Sequence, residues 1–402
     1  MPASAPASAS SPHLANRLGP GFVLASFTAL LATRPAQAED RLTLKAQSWQ
    51  EDGKRVRVDS QYALLEAELT PDTRLKVMGL LDTITGATPS GDKPRAPGEP
   101  VPLVSIEEQR EAWDANLSRQ FGRVNIAASY GVSRESDYVS HGYSLNTLTD
   151  FNQKNTTLLL GWGHADDDLS GDAIGWSRER EKTSDDFIAG LTQLLSPSTS
   201  VTANLSFGRA TGFLSDPYKI VGVASHPDLP PGLYSTWWEN RPREKDKITL
   251  FLGANHHFDR LNGALDASYR FYNDSFGISS HTAELRWLQR LGPRVVLEPS
   301  VRFYRQSEAD FYYPDLDAAG IVPRNAADGE TGTGTGPYYS SDYRLSRLQT
   351  VNLGLKLSYT FNPHCSVDFA YERYLMSGLD SDTPSDAYSD ADVLTAGLKL
   401  SF

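Results

Sequence analysis

The sequence has a single cysteine, Cys365, only three methionines, and no apolar run approaching the ~20 residues of a membrane-spanning helix. One thiol excludes an intramolecular disulfide framework. It also excludes a C-x-x-C-H haem site, so the chain cannot itself carry a redox relay and calls for no cofactor. Basic residues are in deficit: 38 Lys and Arg stand against 50 Asp and Glu, a formal charge of −12. That balance excludes the electropositive footprint of a nucleic-acid binder. Hydrophobic residues make up 39 % of the chain. Soluble proteins share such a figure with membrane β-barrels, because only alternate residues of a barrel strand meet lipid.

What is present begins with "GFVLASFTALLATRPAQAED". A short apolar run from Gly21 to Ala32 follows Arg17 and precedes Ala36-Gln37-Ala38. This is the form of a secretory signal peptide over residues 1–38, with cleavage after Ala38. Removal costs Arg17 and Arg34 and no acid, so the exported product is more acidic still. Residues 39–402 show no linker or composition shift and read as one domain.

That domain alternates extended segments with short turns on one side and mostly longer polar loops on the other. The turns are "TPDT", "FGR", "SPST", "FDRLNG", "LGPR" and "FNPH". Each holds Gly, Pro, Asn or Asp, the residues of tight reversal. The long stretches run over 85–108, 167–183, 211–239, 307–341 and 377–389. Sixteen strands result: 41–50, 55–69, 73–83, 109–120, 123–134, 138–150, 155–166, 184–195, 200–210, 241–257, 261–273, 276–290, 294–306, 343–361, 364–376 and 390–402. Fourteen or eighteen are the alternatives. An even count puts both termini at the turn side, the periplasmic-turn, extracellular-loop signature of a bacterial outer-membrane β-barrel.

Period-two alternation supports this. Val295, Leu297, Val301 and Phe303 oppose Glu298, Ser300, Arg302 and Tyr304; Val351, Leu353, Leu355 and Leu357 oppose Asn352, Gly354, Lys356 and Ser358. A soluble sandwich or solenoid also alternates, but it lacks the export signal, the short–long rhythm and the closing "ADVLTAGLKLSF". A last strand ending on Phe402 suits delivery to the outer-membrane insertion machinery. It must also pair with the first strand to remove open edges.

The polar faces carry Asp266, Arg270, Glu284, Arg286, Glu298, Arg302, Lys356, Asp368, Glu372 and Lys399. As a set they predict a wet, charged lumen rather than an oily pocket, with ion pairs that either tune passage or stiffen the wall. In "GFLSDPYK", "ENRPREKDK" and "SEADFYYPD", the residues Asp216, Arg241, Arg243 and Asp310 form a constriction if the loops fold inward, or else a latch between loops. His141 and Ser144 fall on opposite faces of a strand, and no G-x-S-x-G occurs, so a hydrolase is not expected. His164, Asp166, Asp167, Asp168 and Asp172 lack EF-hand spacing and read as a solvated loop or as a loose divalent-cation contact beside lipopolysaccharide. His256 and His257 point to opposite faces and suit no shared metal.

"GLTQLLSPSTSVTANLSFGRATGFLSDPYK", "NRPREKDK", "NHHF", "YRFYNDSFGISSHTAEL" and "SEADFYY" resemble the bacterial family known as domain of unknown function 3570. The resemblance covers the mature chain and is strongest from Asp185 to Tyr313; "VGVASHPDLPPGLYSTWWE" looks like a loop elaboration. It implies a Gram-negative outer-membrane barrel without assigned catalytic residues. The frequent neighbourhood of flavin-transferase and thioredoxin-like genes further implies service to an extracytoplasmic redox system. Two functions follow: a porin-like conduit, or a non-conducting scaffold around a periplasmic redox partner.

Overall fold

A computed structural model describes residues 40–96, 98–170, 180–224, 226–324 and 335–402. The expected signal peptide and Asp172 lie outside the described residues. Sixteen antiparallel strands close into one barrel. In chain order they are β1 (Arg41–Glu51), β2 (Val56–Thr70), β3 (Thr73–Pro89), β4 (Leu103–Phe121), β5 (Val124–Arg134), β6 (Tyr138–Phe151), β7 (Thr156–Leu169), β8 (Arg180–Ser196) and β9 (Thr199–Gly212). A small hairpin of β10 (Ile220–Val223) and β11 (Ser235–Trp238) interrupts the series. The barrel resumes with β12 (Glu244–Phe258), β13 (Gly263–Asp274), β14 (Ser279–Leu291), β15 (Val295–Gln306), β16 (Leu348–Asn362), β17 (Cys365–Gly378) and β18 (Ala391–Ser401).

Closure is made by β1 against β18, in unbroken register from Arg41↔Ser401 to Glu51↔Ala391. Phe402 is tied into the same seam: its N–H donates to the Asp40 carbonyl at 3.0 Å, and its carbonyl accepts from Asp40 N–H at 3.1 Å. No open edge is left, which is the condition for a sheet in lipid.

Each strand turns one side chain out and the next in. The outward set includes Trp113, Leu117, Leu145, Leu160, Leu205, Leu252, Leu285, Leu353, Leu355 and Phe369, all exposed large apolar residues. A soluble protein would bury them; a membrane barrel gives them to lipid. Among the inward positions, glycine is forced at two by close packing. A Cβ at Gly161 would stand 2.2 Å from Asn146 Oδ1, and one at Gly190 would stand 2.2 Å from Asn204 Oδ1.

Three boundaries differ from the sequence reading. Strands β3 and β4 hold 17 and 19 residues, so the 85–108 stretch shrinks to a 90–102 connection. Since ~9–11 residues span the bilayer, this pair projects well beyond it. The strand expected over 343–361 begins only at Leu348, because Asp342 caps a 3-10 turn over Tyr343–Leu345 by accepting from Arg344 N–H. The 211–239 stretch, read as loop, contains the β10–β11 hairpin.

The buried hydrophobic clusters lie at the loop end. One gathers Phe276, Ile278, Ala309, Phe311, Tyr312 and Leu345. The other gathers Val221, Val223, Tyr339 and Leu316, the last on the one-turn helix α1 (Leu316–Ala319). Loops with cores of this kind are folded elements, unlike the solvated excursions their composition suggests.

Candidate functional site

Sheet register places all ten predicted lumen residues on the inner face of β13 to β18. Asp266 stands opposite Arg286, and Glu284 opposite Arg302. Glu298 faces Lys356, Glu372 faces Gly354, and Asp368 lies beside Gly397, two residues from Lys399 on the same face. Arg270 follows Asp266 by four. Part of this set forms a ladder of alternating sign. Arg286 lies 3.2 Å from Asp266, 3.3 Å from Glu284 and 4.0 Å from Glu298, and Lys356 lies 3.7 Å from Glu298. Asn352 donates to Glu372 at 2.6 Å.

The loops at the mouth are joined by a second, denser network. The connection 213–243 leaves between β9 and β12, 307–347 between β15 and β16, and 90–102 between β3 and β4. Around the cylinder these exits are separated by four, six and six strand steps. Loops so spaced can meet only over the opening.

They do meet. Arg241 lies 2.6 Å from Glu239 Oε1 and donates to Asp342 Oδ2 at 2.9 Å. Arg344 Nε donates to Asp342 Oδ1 at 2.9 Å, and its Nη2 also pairs with Asp216. Ser340 Oγ donates to Glu239 at 2.5 Å, and Asp216 N–H to the same carboxylate. Asn240 and Tyr339 exchange backbone hydrogen bonds, each at 2.9 Å. The third loop joins through Lys93, which donates to Asp315 at 2.7 Å and Asp317 at 2.9 Å, and through Lys219, which donates to the Pro89 carbonyl. Tyr312 reaches Thr383 at 2.7 Å and Ser346 reaches Tyr388 at 2.6 Å, bringing in the β17–β18 connection.

Glu239 and Asp342 are each only 1 % exposed. Two carboxylates at that depth persist as ions only if cations pair with them. Burial opposes the Asp342 charge, yet the Arg344 guanidinium, with Arg241 and Lys219 nearby, holds its carboxyl well below the usual carboxylate range. For Glu239, burial prevails: together with Asp342 and Asp216 it outweighs Arg241 and pushes the carboxyl up. Burial likewise pushes the Lys219 ammonium down.

Of the four residues named for a constriction, Asp216 and Arg241 share this network. Arg243 and Asp310 sit beside it. The Arg243 carbonyl accepts from Gly212 N–H at 2.9 Å, and Asp310 N–H donates to Phe276 O at 2.8 Å, with its carboxylate over Gly277. Glu239, Asp342, Arg344 and Lys219 were not singled out from sequence. Their partners are as much as 130 positions away in the chain, and the one local signal was the capping Asp342.

The other candidates stay apart. His141 bonds Tyr130 Oη at 2.8 Å on the outer face, and Ser144 lies on the inner face beside Asn146. His164 faces outward between Asp185 at 3.0 Å and Asp166 at 3.1 Å, while Asp167 faces inward to Lys182 at 2.8 Å. His256 meets Thr199 at 2.8 Å and His257 meets Asp259 at 3.2 Å, so the two rings share nothing. Among the described residues no three His, Cys, Asp or Glu side chains converge as a metal site.

A closed sixteen-stranded barrel with apolar exterior, charged interior and long loops at one end defines a protein of the outer-membrane β-barrel class. Solved structures of that class resemble it in backbone shape. A bacterial polysaccharide outer membrane secretin matches at TM-score 0.48 and 10 % identity, covering 90 % of this chain and 98 % of its own. The CymD monoaromatic hydrocarbon channel matches at 0.42 and 13 %, covering 91 % and 89 %. A loop L8 deletion mutant of OmpT, an outer membrane protein of Vibrio cholerae, matches at 0.42 and 6 %, covering 91 % and 99 %. These are likenesses of shape and nothing more. No curated protein matches the chain by sequence. The chain belongs to the family described as "Protein of unknown function (DUF3570)", whose profile matches residues 19–387.

Proposed function

We propose that this chain is a non-enzymatic conduit of the Gram-negative outer membrane, passing small polar solutes through a charged lumen whose outer mouth is narrowed by clamped loops. In this reading residues 1–38 direct export, the strand ending at Phe402 engages the insertion machinery, and the loop end faces the lipopolysaccharide surface. A sixteen-stranded barrel is wide enough to hold an aqueous channel. The observation that carries the reading is the meeting of loops 90–102, 213–243 and 307–347 above that opening, with Arg241 and Arg344 both on Asp342. The ladder centred on Arg286 supplies fixed lumen charges next to the solute path.

Reversal potentials across a planar bilayer in a salt gradient test it. Arg286→Gln removes one lumen cation and leaves Asp266, Glu284 and Glu298, so selectivity shifts toward cations. A conductance whose selectivity ignores this change contradicts the lumen assignment.

The two hydrophobic clusters at the mouth favour a second reading, a non-conducting scaffold. It would hold an extracytoplasmic redox partner at its periplasmic end. Silence in the bilayer together with co-purification of a flavin-linked periplasmic protein supports that alternative.

A further inference from the structure

The long pair β3–β4 leaves one of its two edges without a partner strand. Strand β4 pairs with β3 along its whole length, from Thr73↔Arg119 to Pro89↔Leu103, but with β5 only from Phe121↔Val124 to Glu111↔Arg134. Residues 103–110 therefore rise past the β5–β6 turn with no strand beside them. Even-numbered residues of β4 turn their backbone groups to β3: Gln120 N–H donates to the Asp72 carbonyl at 2.8 Å, at the foot of that strand, and the Pro102 carbonyl accepts from Ser90 N–H at 2.9 Å. Odd-numbered residues point the other way. The N–H and C=O groups of Leu103, Ser105 and Glu107 thus face the missing neighbour, and none of them has a hydrogen-bond partner among the described residues.

The opposite edge of the same ribbon is covered. Ala87 N–H donates to the Arg55 carbonyl at 2.8 Å, Ile220 N–H donates to the Ser90 carbonyl at 2.9 Å, and Lys219 takes the Pro89 carbonyl. Open edges are ordinarily blunted by proline, a bulge or charge. Positions 103–109 hold no proline and run without a register shift. A row of free donors and acceptors at strand spacing defines its own occupant, an extended backbone.

The charge around the edge is acidic and gives the occupant its sign. Among the described residues neither Glu107 nor Glu108 makes an ion pair; Glu108 accepts from Ser136 N–H at 2.9 Å. Glu135 and Asp137 lie in the turn at its foot. Of the bases there, Arg110 stands opposite Asp82 and 3.9 Å from Glu135, and Arg134 stands opposite Glu111. Lys93 and Arg95, in the connection above, are taken by Asp315, Asp317 and the Tyr234 ring. A second copy in the same membrane would present its edge in the parallel sense, with its own Glu107 and Glu108 beside these, a like-charge contact.

We propose that residues 103–109 are a β-augmentation site for an extended, basic segment of a partner protein, added antiparallel to β4. In that arrangement the residues opposite Leu103, Ser105 and Glu107 share their outer face and exchange hydrogen bonds with them, so the basic side chains belong there. Residues opposite Val104 and Ile106 are apolar. The inference does not depend on the conduit reading.

Fluorescence anisotropy tests it, with the purified full-length chain in detergent micelles and a labelled peptide of matching length that alternates lysine and valine. The peptide binds. Methylating its lysine backbone nitrogens removes the donors that face β4 and weakens binding about tenfold, the loss of one or two backbone hydrogen bonds. Methylating the valine nitrogens, which face away, leaves binding unchanged, although both derivatives keep the same charge. Ser105→Pro removes one edge donor without touching the β3 ladder and weakens the parent peptide to a similar extent. Glu107→Lys, at an exposed position, weakens it by repulsion. Equal binding of the two methylated peptides marks mere attraction of a cation to an acidic surface and overturns the inference, as does full binding to Ser105→Pro or no binding of the parent peptide. The conduit reading stands in each case.

Discussion

Arg241 and Asp342 meet at 2.9 Å although one follows β9 and the other precedes β16, on loops whose exits lie four strand steps apart. Their contact bridges the barrel mouth, and Arg344 makes Asp342 its hub. Removing that hub leaves Arg241 with Glu239 alone and Arg344 with Asp216 alone.

Asp342→Asn is therefore expected to release the loops at a cost on the order of 3 kcal/mol, the scale of breaking a buried pair on one side only. The barrel itself, held by its strand ladder, keeps its heat-modifiable gel mobility. Limited proteolysis within 213–243 and 339–347 reads the release. Glu239→Gln is expected to be mild by comparison, because the amide oxygen still accepts from Asp216 N–H, the amide NH2 donates to Ser340 Oγ in a reversed bond, and a charge that burial disfavours is shed.

Acid acts on the two carboxylates in opposite directions. Glu239 is raised above its ordinary 4.5 in the closed cap. The closed form therefore binds a proton that open loops would not, and closure gains as pH falls through the raised value. Asp342 is depressed, so its contribution is complete above its ordinary 3.8 and is lost as pH falls through the lower value. The cap should thus survive mild acid and open only below 3.8. Spin labels at Glu99 and Ala318, in a Cys365→Ser background, should hold one distance from neutral pH to about 4 and lengthen below it. Lengthening between pH 7 and 5 would contradict this.

The two faces of β16 predict opposite tolerances. Leu355 points to lipid near mid-strand, so Leu355→Arg should destabilise the folded barrel by about 2–4 kcal/mol. Its neighbour Lys356 points inward, and Lys356→Leu should cost far less. Urea unfolding in lipid vesicles separates them.

Gly161 is constrained by Asn146 Oδ1 and by Ile188 Cγ2, which an added Cβ would meet at 2.2 and 2.8 Å. Gly161→Val should destabilise by about 1–3 kcal/mol through overpacking. Trimming the neighbour with Asn146→Ala should recover part of that loss in the double variant.

The sixteen barrel strands were legible because alternation is local: a segment such as Val351 to Tyr359 declares both its faces within nine residues. The mouth was legible only in fragments. Asp216 and Arg241 stood out by charge among aromatics, but Asp342 and Arg344 lay at or within a stretch that reads as strand until the capping turn is seen. Pairings across a hundred positions leave no periodicity to read. The lumen was half-read for a related reason. All ten charged residues picked out belong to β13–β18, where polarity alternates cleanly, whereas β2 and β3 carry apolar residues on both faces at mid-strand, Leu64 and Leu80 beside Leu65 and Leu81, and so conceal inward Glu66 and Lys76.

Single-channel recording of the purified full-length chain, wild type beside Asp342→Asn, tests the loop-capped conduit most directly. The account predicts stepwise currents from both, with a larger unit conductance from Asp342→Asn because its mouth is no longer clamped. Equal conductances would contradict the clamp as the narrowing element, and silence from both would contradict the conduit.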